Sequence, residues 1–461
     1  MASRKLKSKH GGTLRTCLRW TLRAALLVAL LLAIVFVIVC HKALYERLYR
    51  LPRQAQALTT LRALRSAPTL ADGWNEYRGV LHAHSELSHD SAVTQTAAVR
   101  AAKAAEVDFF CMTDHYVDGK ADYALGWNGP VDGVLFIRGF ELSHGLLAWG
   151  VPAGTVFQAT DEPRDLARRI HALGAVVFFA HCEQERLWDL PELDGMEIYN
   201  LHTDFQDEDM RALFPRLLLC LRAYPELTMR LIFDPPRPLL ARWDHLNQDR
   251  HITGIAANDA HQNVGLRLTC SPRGTLVLQN TGEKTEIIRE VPLNRLARLL
   301  LRPFSGPLEP GREVFRLELD PYERSCRFVN THVLARDCTE PEIVAALRAG
   351  RAFVAFSMLA DARGFTCLVR DGQRTAVIGE SLPFTPGLRL QAAAPLPCRF
   401  LVYRDGVRVQ QAEGRQLDAP IEQPGHYRVE AELQVLDEWV PWIYANPIAV
   451  EPATPPAGRA P

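Results

Sequence analysis

An uncharged run opens the pattern. Residues 24–40 read AALLVALLLAIVFVIVC, without a charge, a Gly or a Pro. Seventeen residues are at the short end of what crosses a hydrocarbon core as a helix, and Leu22 extends the run slightly. Residues 41–66 are rich in Leu, Ala and Arg, which predicts a helical stalk closed by Pro68, Asp72 and Gly73. From residue 77 short apolar runs alternate with helical stretches. Strands are predicted at 77–81, 108–113, 134–141, 175–180, 195–199 and 252–257, with helices at 94–106, 161–173 and 207–222. Strands alternating with helices imply parallel βα units, and hence an α/β barrel.

The rhythm changes after residue 270. A strand over 274–280 and a Leu/Arg-rich helix over 294–301 lead to Pro303, Pro307 and Pro310. Strands over 313–319 and 328–334 and a helix over 340–349 follow. Residues 366–450 read as all-β, with Asp405-Gly406 as a hairpin turn, a strand entered through Pro424-Gly425, and a last strand broken at Asn446-Pro447. That spacing suggests a small Ig-like sandwich. The expected organisation is a basic segment 1–23, a transmembrane helix 24–40, a stalk 41–76, a catalytic α/β domain 77–300, a connecting α+β region 301–365, a β domain 366–450 and a Pro-rich tail 451–461.

Charge changes the picture only at the N-terminus. The 53 basic and 53 acidic residues cancel, so no global field points to a nucleic-acid partner. Arg4, Lys5, Lys7, Lys9, Arg15, Arg19 and Arg23 all precede the first acidic residue, Glu46. The positive-inside bias then places the N-terminus in the cytoplasm and the body beyond a single-pass inner (cytoplasmic) membrane anchor, in the periplasm of a Gram-negative cell. A signal peptide is the rival, although residues 41–50 (HKALYERLYR) lack a small-x-small cleavage site. The ten cysteines form no CxxC pair, which argues against a zinc ribbon or thioredoxin-type site; Cys326 and Cys338 could pair across a hairpin.

The chemistry sits at the predicted carboxyl ends of the strands. Residues 77–90 (YRGVLHAHSELSHD) carry His82 and His84 on one face of a strand end, then His89 and Asp90 in a turn. Later strands end on Asp114 and His115, on Glu141 with His144 beyond, on His181, on Asn200 and His202, and on Asn258, Asp259 and His261. Imidazole and carboxylate together suit Zn, Mn and Fe. In βα barrels the active site gathers at this end.

Here the segments LHAHSELSHDS, MTDHY, GFELSHG, FFAHCE and ANDAH resemble the PHP (polymerase and histidinol phosphatase) family of metal-dependent hydrolases, over about residues 77–265. Residues 328–356 also resemble the portion that follows the metal site in membrane-associated members. Two departures are His181-Cys182, where the family usually reads His-Pro, and Asn258 in place of a common Ser. The resemblance implies a distorted (β/α)7 barrel holding two to three divalent ions (Mn, Zn or Fe). It implies His82, His84, Asp90, His115, Glu141, His181, Asp259 and His261 as ligands, with His89 the alternative to Asp90.

That ligand set implies hydrolysis of a small-molecule phosphoester through a metal-bridged hydroxide, with Glu141 or Asp90 as bridging carboxylate. His144 or His202 would protonate the leaving group, and Arg138 and Arg267 are candidate phosphate clamps by charge. His332 lies outside the pattern and reads as structural. One alternative is a carboxylic- or carbamate-ester hydrolase resembling the carbaryl-hydrolase-like members. A second is a non-catalytic surface-binding protein with a structural metal site.

Overall fold

The computed structural model describes residues 10–67, 70–118, 127–158, 161–281, 287–294, 302 and 305–453, without the side chains of 10–17 and 210. Residues 1–9, part of the loop 117–132, the helix expected over 294–301 and the tail from 454 lie outside these. The chain divides into two compact units, residues 1–55 with 208–229, and residues 56–207 with 230–461.

In the smaller unit, helix α1 (His10–Tyr45) contains the whole apolar run, and its residues 18–39 are exposed along their length. It is long and apolar enough to cross a membrane, as a signal sequence also would be. A short π-helical turn, Glu46–Arg50, leads into α2 (Leu51–Arg62), so the expected stalk is helical as far as Arg62.

The larger unit is mixed α/β. Its first strands are β1 (Asn75–Leu81), β2 (Phe109–Cys111), β3 (Gly129–Val131) and β4 (Val134–Ile137); β1, β2 and β4 run parallel. Helix α3 (Gln95–Ala104), capped by Thr94, connects β1 to β2. The strand expected over 134–141 is interrupted at Arg138, which is buried and donates to Val151 O. Beyond it, β5 (Gly139–Leu142) enters a second sheet with β6 (Leu146–Trp149), β7 (Val176–Phe179), β8 (Gly195–Asn200) and β9 (Thr253–Ala257). The wholly parallel arrangement does not hold here. Only Ser143–Gly145 separate β5 from β6, too few residues for a crossover, so β5, β6 and β7 pair antiparallel. Helix α4 (Pro163–Ala172) precedes β7.

Among the described residues the two sheets are linked by isolated bridges, Ala83 to Ala260 and His115 to Glu141, and not by a continuous strand pairing, so the ring is not a closed barrel. Between them lies a core that includes Phe109, Ile137, Trp149, Phe178 and Ile255. Close packing explains one glycine directly: a Cβ at Gly79 would lie 2.0 Å from Phe109 Cζ.

After β9 come four antiparallel strands, β10 (Gly265–Cys270), β11 (Thr275–Asn280), β12 (Ile287–Pro292) and β13 (Glu313–Glu318). Arg267 is in β10, its Nε donating to Gln279 Oε1. Strand β14 (Asn330–Ala335) then returns to pair antiparallel with β1, and β15 (Ala352–Ala355) extends the same sheet. Every described strand from Thr366 to Glu451 belongs to this same sheet, so among the described residues the region does not form two separate facing sheets. The Asp405-Gly406 turn has φ of +51° and +80°, as a tight hairpin requires. His332 is buried in β14, its Nδ1 donating to Glu76 and its ring stacked on Phe353. All described cysteines, including Cys326 and Cys338, are free thiols.

Candidate metal centre

Three of the side chains expected at the site hang from residues in a backbone conformation that non-glycine residues rarely adopt. His82 (φ +62°), His181 (+47°) and Asp259 (+46°) each lie one or two residues beyond a strand end. The left-handed turn swings the side chain off the strand direction. Backbone bonds hold it there: Asp259 N donates to His82 O (2.7 Å), Asn258 N to Leu81 O (3.1 Å) and His84 N to Ala260 O (3.0 Å). Strain of this kind costs about 1–3 kcal/mol per residue and persists where surrounding structure enforces it.

The structure brings eight expected side chains into three overlapping groups: His84, Asp90, His115 and His261; His82, His84 and Glu141; and His82, His181 and Asp259. His82 Nε2 and His84 Nε2 are 3.1 Å apart. Asp90 Oδ2 is 3.2 Å from His115 Nε2 and 3.1 Å from His261 Nε2. Glu141 Oε2 approaches His82, His84 and His115 at 3.2–3.5 Å, and Oε1 approaches His181 at 3.5 Å. Asp259 divides likewise: Oδ1 is 3.3 Å from both His82 and His84, and Oδ2 is 3.5 Å from His181. Glu141 and Asp259 are therefore the carboxylates that reach across groups, while Asp90 serves one.

The outward nitrogens are tied to protein. His82 Nδ1–H donates to Glu197 Oε1 (2.5 Å) and His261 Nδ1–H to Asp259 O (2.8 Å). His181 Nδ1 sits 3.2 Å from Thr203 Oγ1. Ser88 Oγ gives its proton to Asp114 Oδ1 (2.9 Å), so it accepts from His84 Nδ1–H (3.0 Å). In these four rings Nε2 is left facing inward, the arrangement that fixes the tautomer of a metal-binding histidine.

Glu197 was not singled out by sequence. It is fully buried; Oε2 accepts from His181 N (2.8 Å) and Asn200 Nδ2 (3.0 Å), so one carboxylate orients two of the histidines. The available signal was one acidic residue inside the apolar strand GMEIYN.

The electrostatics describe a site rich in negative charge. Burial pulls His82 down, but Asp259 and Glu197 raise it well above the ordinary histidine value. Burial likewise opposes, and carboxylate neighbours outweigh it, for His261, raised to about 9, and His181, raised to about 10. His84 goes the other way, to about 3, through burial and His261. Despite burial, histidine neighbours hold Glu141 and Asp259 well below the carboxylate range. Buried Asp90 Oδ1 and Asp259 Oδ1 accept no hydrogen bond. Inward nitrogens and orphaned carboxylate oxygens together fit divalent cations.

The remaining candidates lie apart or at the margin. His202 is half-buried on α5 (Leu201–Gln206), its ring 5.0 Å from that of His261, and burial lowers its pKa. His144 is exposed on the left-handed turn between β5 and β6 and shares no polar or ring contact with the eight among the described residues. His89 is exposed, its ring tilted 38° to that of His115 at 4.7 Å, while Asp90 is the group of its turn that faces the cluster. Arg138 lies over Phe140 in the core and Arg267 bonds within its sheet; these contacts give neither a role as a phosphate clamp.

Fold and side chains together define a mixed α/β protein with a histidine–carboxylate cluster that could hold metal. No protein-family model and no curated protein matches the chain. Among solved structures it is similar to a two-domain protein from Bacteroides vulgatus described as containing a predicted PHP-like metal-dependent phosphoesterase, at 13% identity and TM-score 0.35, over 83% of this chain and 98% of that one.

Proposed function

We propose that the chain is a metal-dependent phosphoesterase acting on a small-molecule phosphoester, anchored to a membrane through α1. The carrying observation is that four imidazoles present Nε2 to one another and to shared carboxylates while Nδ1 is held by protein. A structural site closes around one ion with four ligands, whereas eight donors in overlapping groups suit two or three, of Mn, Zn or Fe. Bound divalent ions would supply Lewis acidity toward a phosphoryl oxygen and lower the pKa of a water molecule.

His82, His84, Asp90, His115, Glu141, His181, Asp259 and His261 would hold the ions, with Glu141 and Asp259 spanning the groups. Glu197, Ser88 and Thr203 keep the rings oriented. His202, whose ring lies 5.0 Å from that of His261, would give a hydrogen bond to the leaving-group oxygen from its N–H, with His144 as the alternative. The basic residues before α1 favour an N-terminus in the cytoplasm and a body outside it.

The test pairs elemental analysis of the full chain in detergent with turnover of p-nitrophenyl phosphate, bis-p-nitrophenyl phosphate and p-nitrophenyl acetate. Two to three metals per chain and phosphoester turnover are expected. One metal or none overturns the multinuclear reading, and turnover of the acetate alone moves the activity to carboxylic esters. An alkaline phosphatase reporter fused after residue 66 is active only if that side is exported.

A further inference from the structure

Helix α6 (Met210–Cys220) packs on α1 where the apolar run ends. Leu213, Leu217 and Cys220 are buried, Cys220 Sγ lies 3.6 Å from Ala43 O, and Arg216 pairs with Glu46 at 3.1 Å. One turn on, Arg47 stacks over Tyr224, 5.2 Å from its centroid. Cys40 and Ala43 are covered there, although residues 18–39 of α1 are exposed.

Two apolar side chains of α6 stay open, Phe214 at 38% and Leu218 at 53% exposure, and Tyr45, Leu48 and Tyr49, just after the apolar run, are 50–73% exposed. Arg211, Arg222 and Lys42, on or next to the same two helical stretches, are exposed as well. Length argues for what covers these side chains. Seventeen helical residues reach about 26 Å at 1.5 Å each, short of a hydrocarbon core of about 30 Å. Helix α6 docks at the carboxyl end of that run, against Ala43 and Glu46, which is where one interface lies if α1 spans the membrane. Aromatic rings with basic side chains beside an apolar helix end are the composition of a membrane–water interface.

We infer that α6 is an interfacial helix, seating Phe214 and Leu218 at the acyl-chain boundary and its basic neighbours among anionic headgroups. This rests on α1 spanning the bilayer and is independent of the metal centre.

The test places the full chain in nanodiscs containing a phospholipid with a photoactivatable group on its acyl chain near the headgroup, and maps adducts by mass spectrometry. Adducts are expected on α1 and on α6 around Phe214 and Leu218, with more on α6 in phosphatidylglycerol than in phosphatidylcholine alone. The exposed-face double variant Phe214→Glu with Leu218→Glu should lose the α6 adducts and keep those on α1. Phe214→Trp should retain both. Adducts on α1 without any on α6 overturn the inference while the spanning reading stands. Adducts on neither helix overturn both. Cross-links from α6 to a second copy of the chain would make the face a protein contact and overturn the inference, and equal yields in the two lipids would remove the anionic preference.

Discussion

Glu197 shows how a side chain that need not touch the reacting atoms can govern the site. It orients His82 through Nδ1 and His181 through its backbone N. Glu197→Gln keeps the shape but weakens the charge holding His82, and affinity for the ions should fall about 10–100-fold, the usual cost of losing such a partner. Chelator competition on the purified chain measures this; an unchanged affinity would remove Glu197 from the machinery. Asp259→Asn should cost more, emptying the groups that share His82, and elemental analysis with phosphoester turnover reads both losses. The HxH pair, the TDH and the DAH were legible because each binds donor residues into a short string. Glu197 was not, since a lone acid in a strand carries no spacing. Neither was the left-handed backbone at His82, His181 and Asp259, which arises from contacts between turns far apart in sequence.

At the scale of elements, alternating apolar runs located most strands of the first half, but not the break of 134–141 into β4 and β5, nor β3 and β6, nor how the strands pair. The antiparallel β5–β6–β7 set was hidden because its first turn, Ser143–Gly145, lies inside a segment read for its metal donors. Gly79→Ala would drive a methyl group into the Phe109 ring, and the unfolding midpoint should drop by the equivalent of about 1–3 kcal/mol. Helix α5 offers a test by pH. Burial raises Asp204 to about 7, although Tyr199 Oη donates to it at 2.6 Å. The folded chain therefore keeps a proton that the unfolded chain releases near pH 4, so this group's contribution to stability falls as pH rises from about 4 to about 7. Asp204→Asn should flatten that fall, by at most about 1.4 kcal/mol per pH unit. Thermal unfolding in detergent across that range reads the difference; parallel curves would exclude the effect.

For the whole molecule, ions that bind the folded chain and not the unfolded one stabilise it by mass action. Chelation should lower the melting temperature, and Mn or Zn should restore it, while Asp259→Asn should respond to neither. A further consequence lies in the position of β1. It carries β2 on one edge and β14 on the other, so the strand delivering His82 and His84 is central in a sheet completed some 250 residues later. A fragment ending at residue 300 would bare a row of unpaired amides and carbonyls beside the metal donors. Such an edge invites other chains to add strands, so the first half made alone should be recovered as aggregate, and the second half acts as the built-in cover of the first.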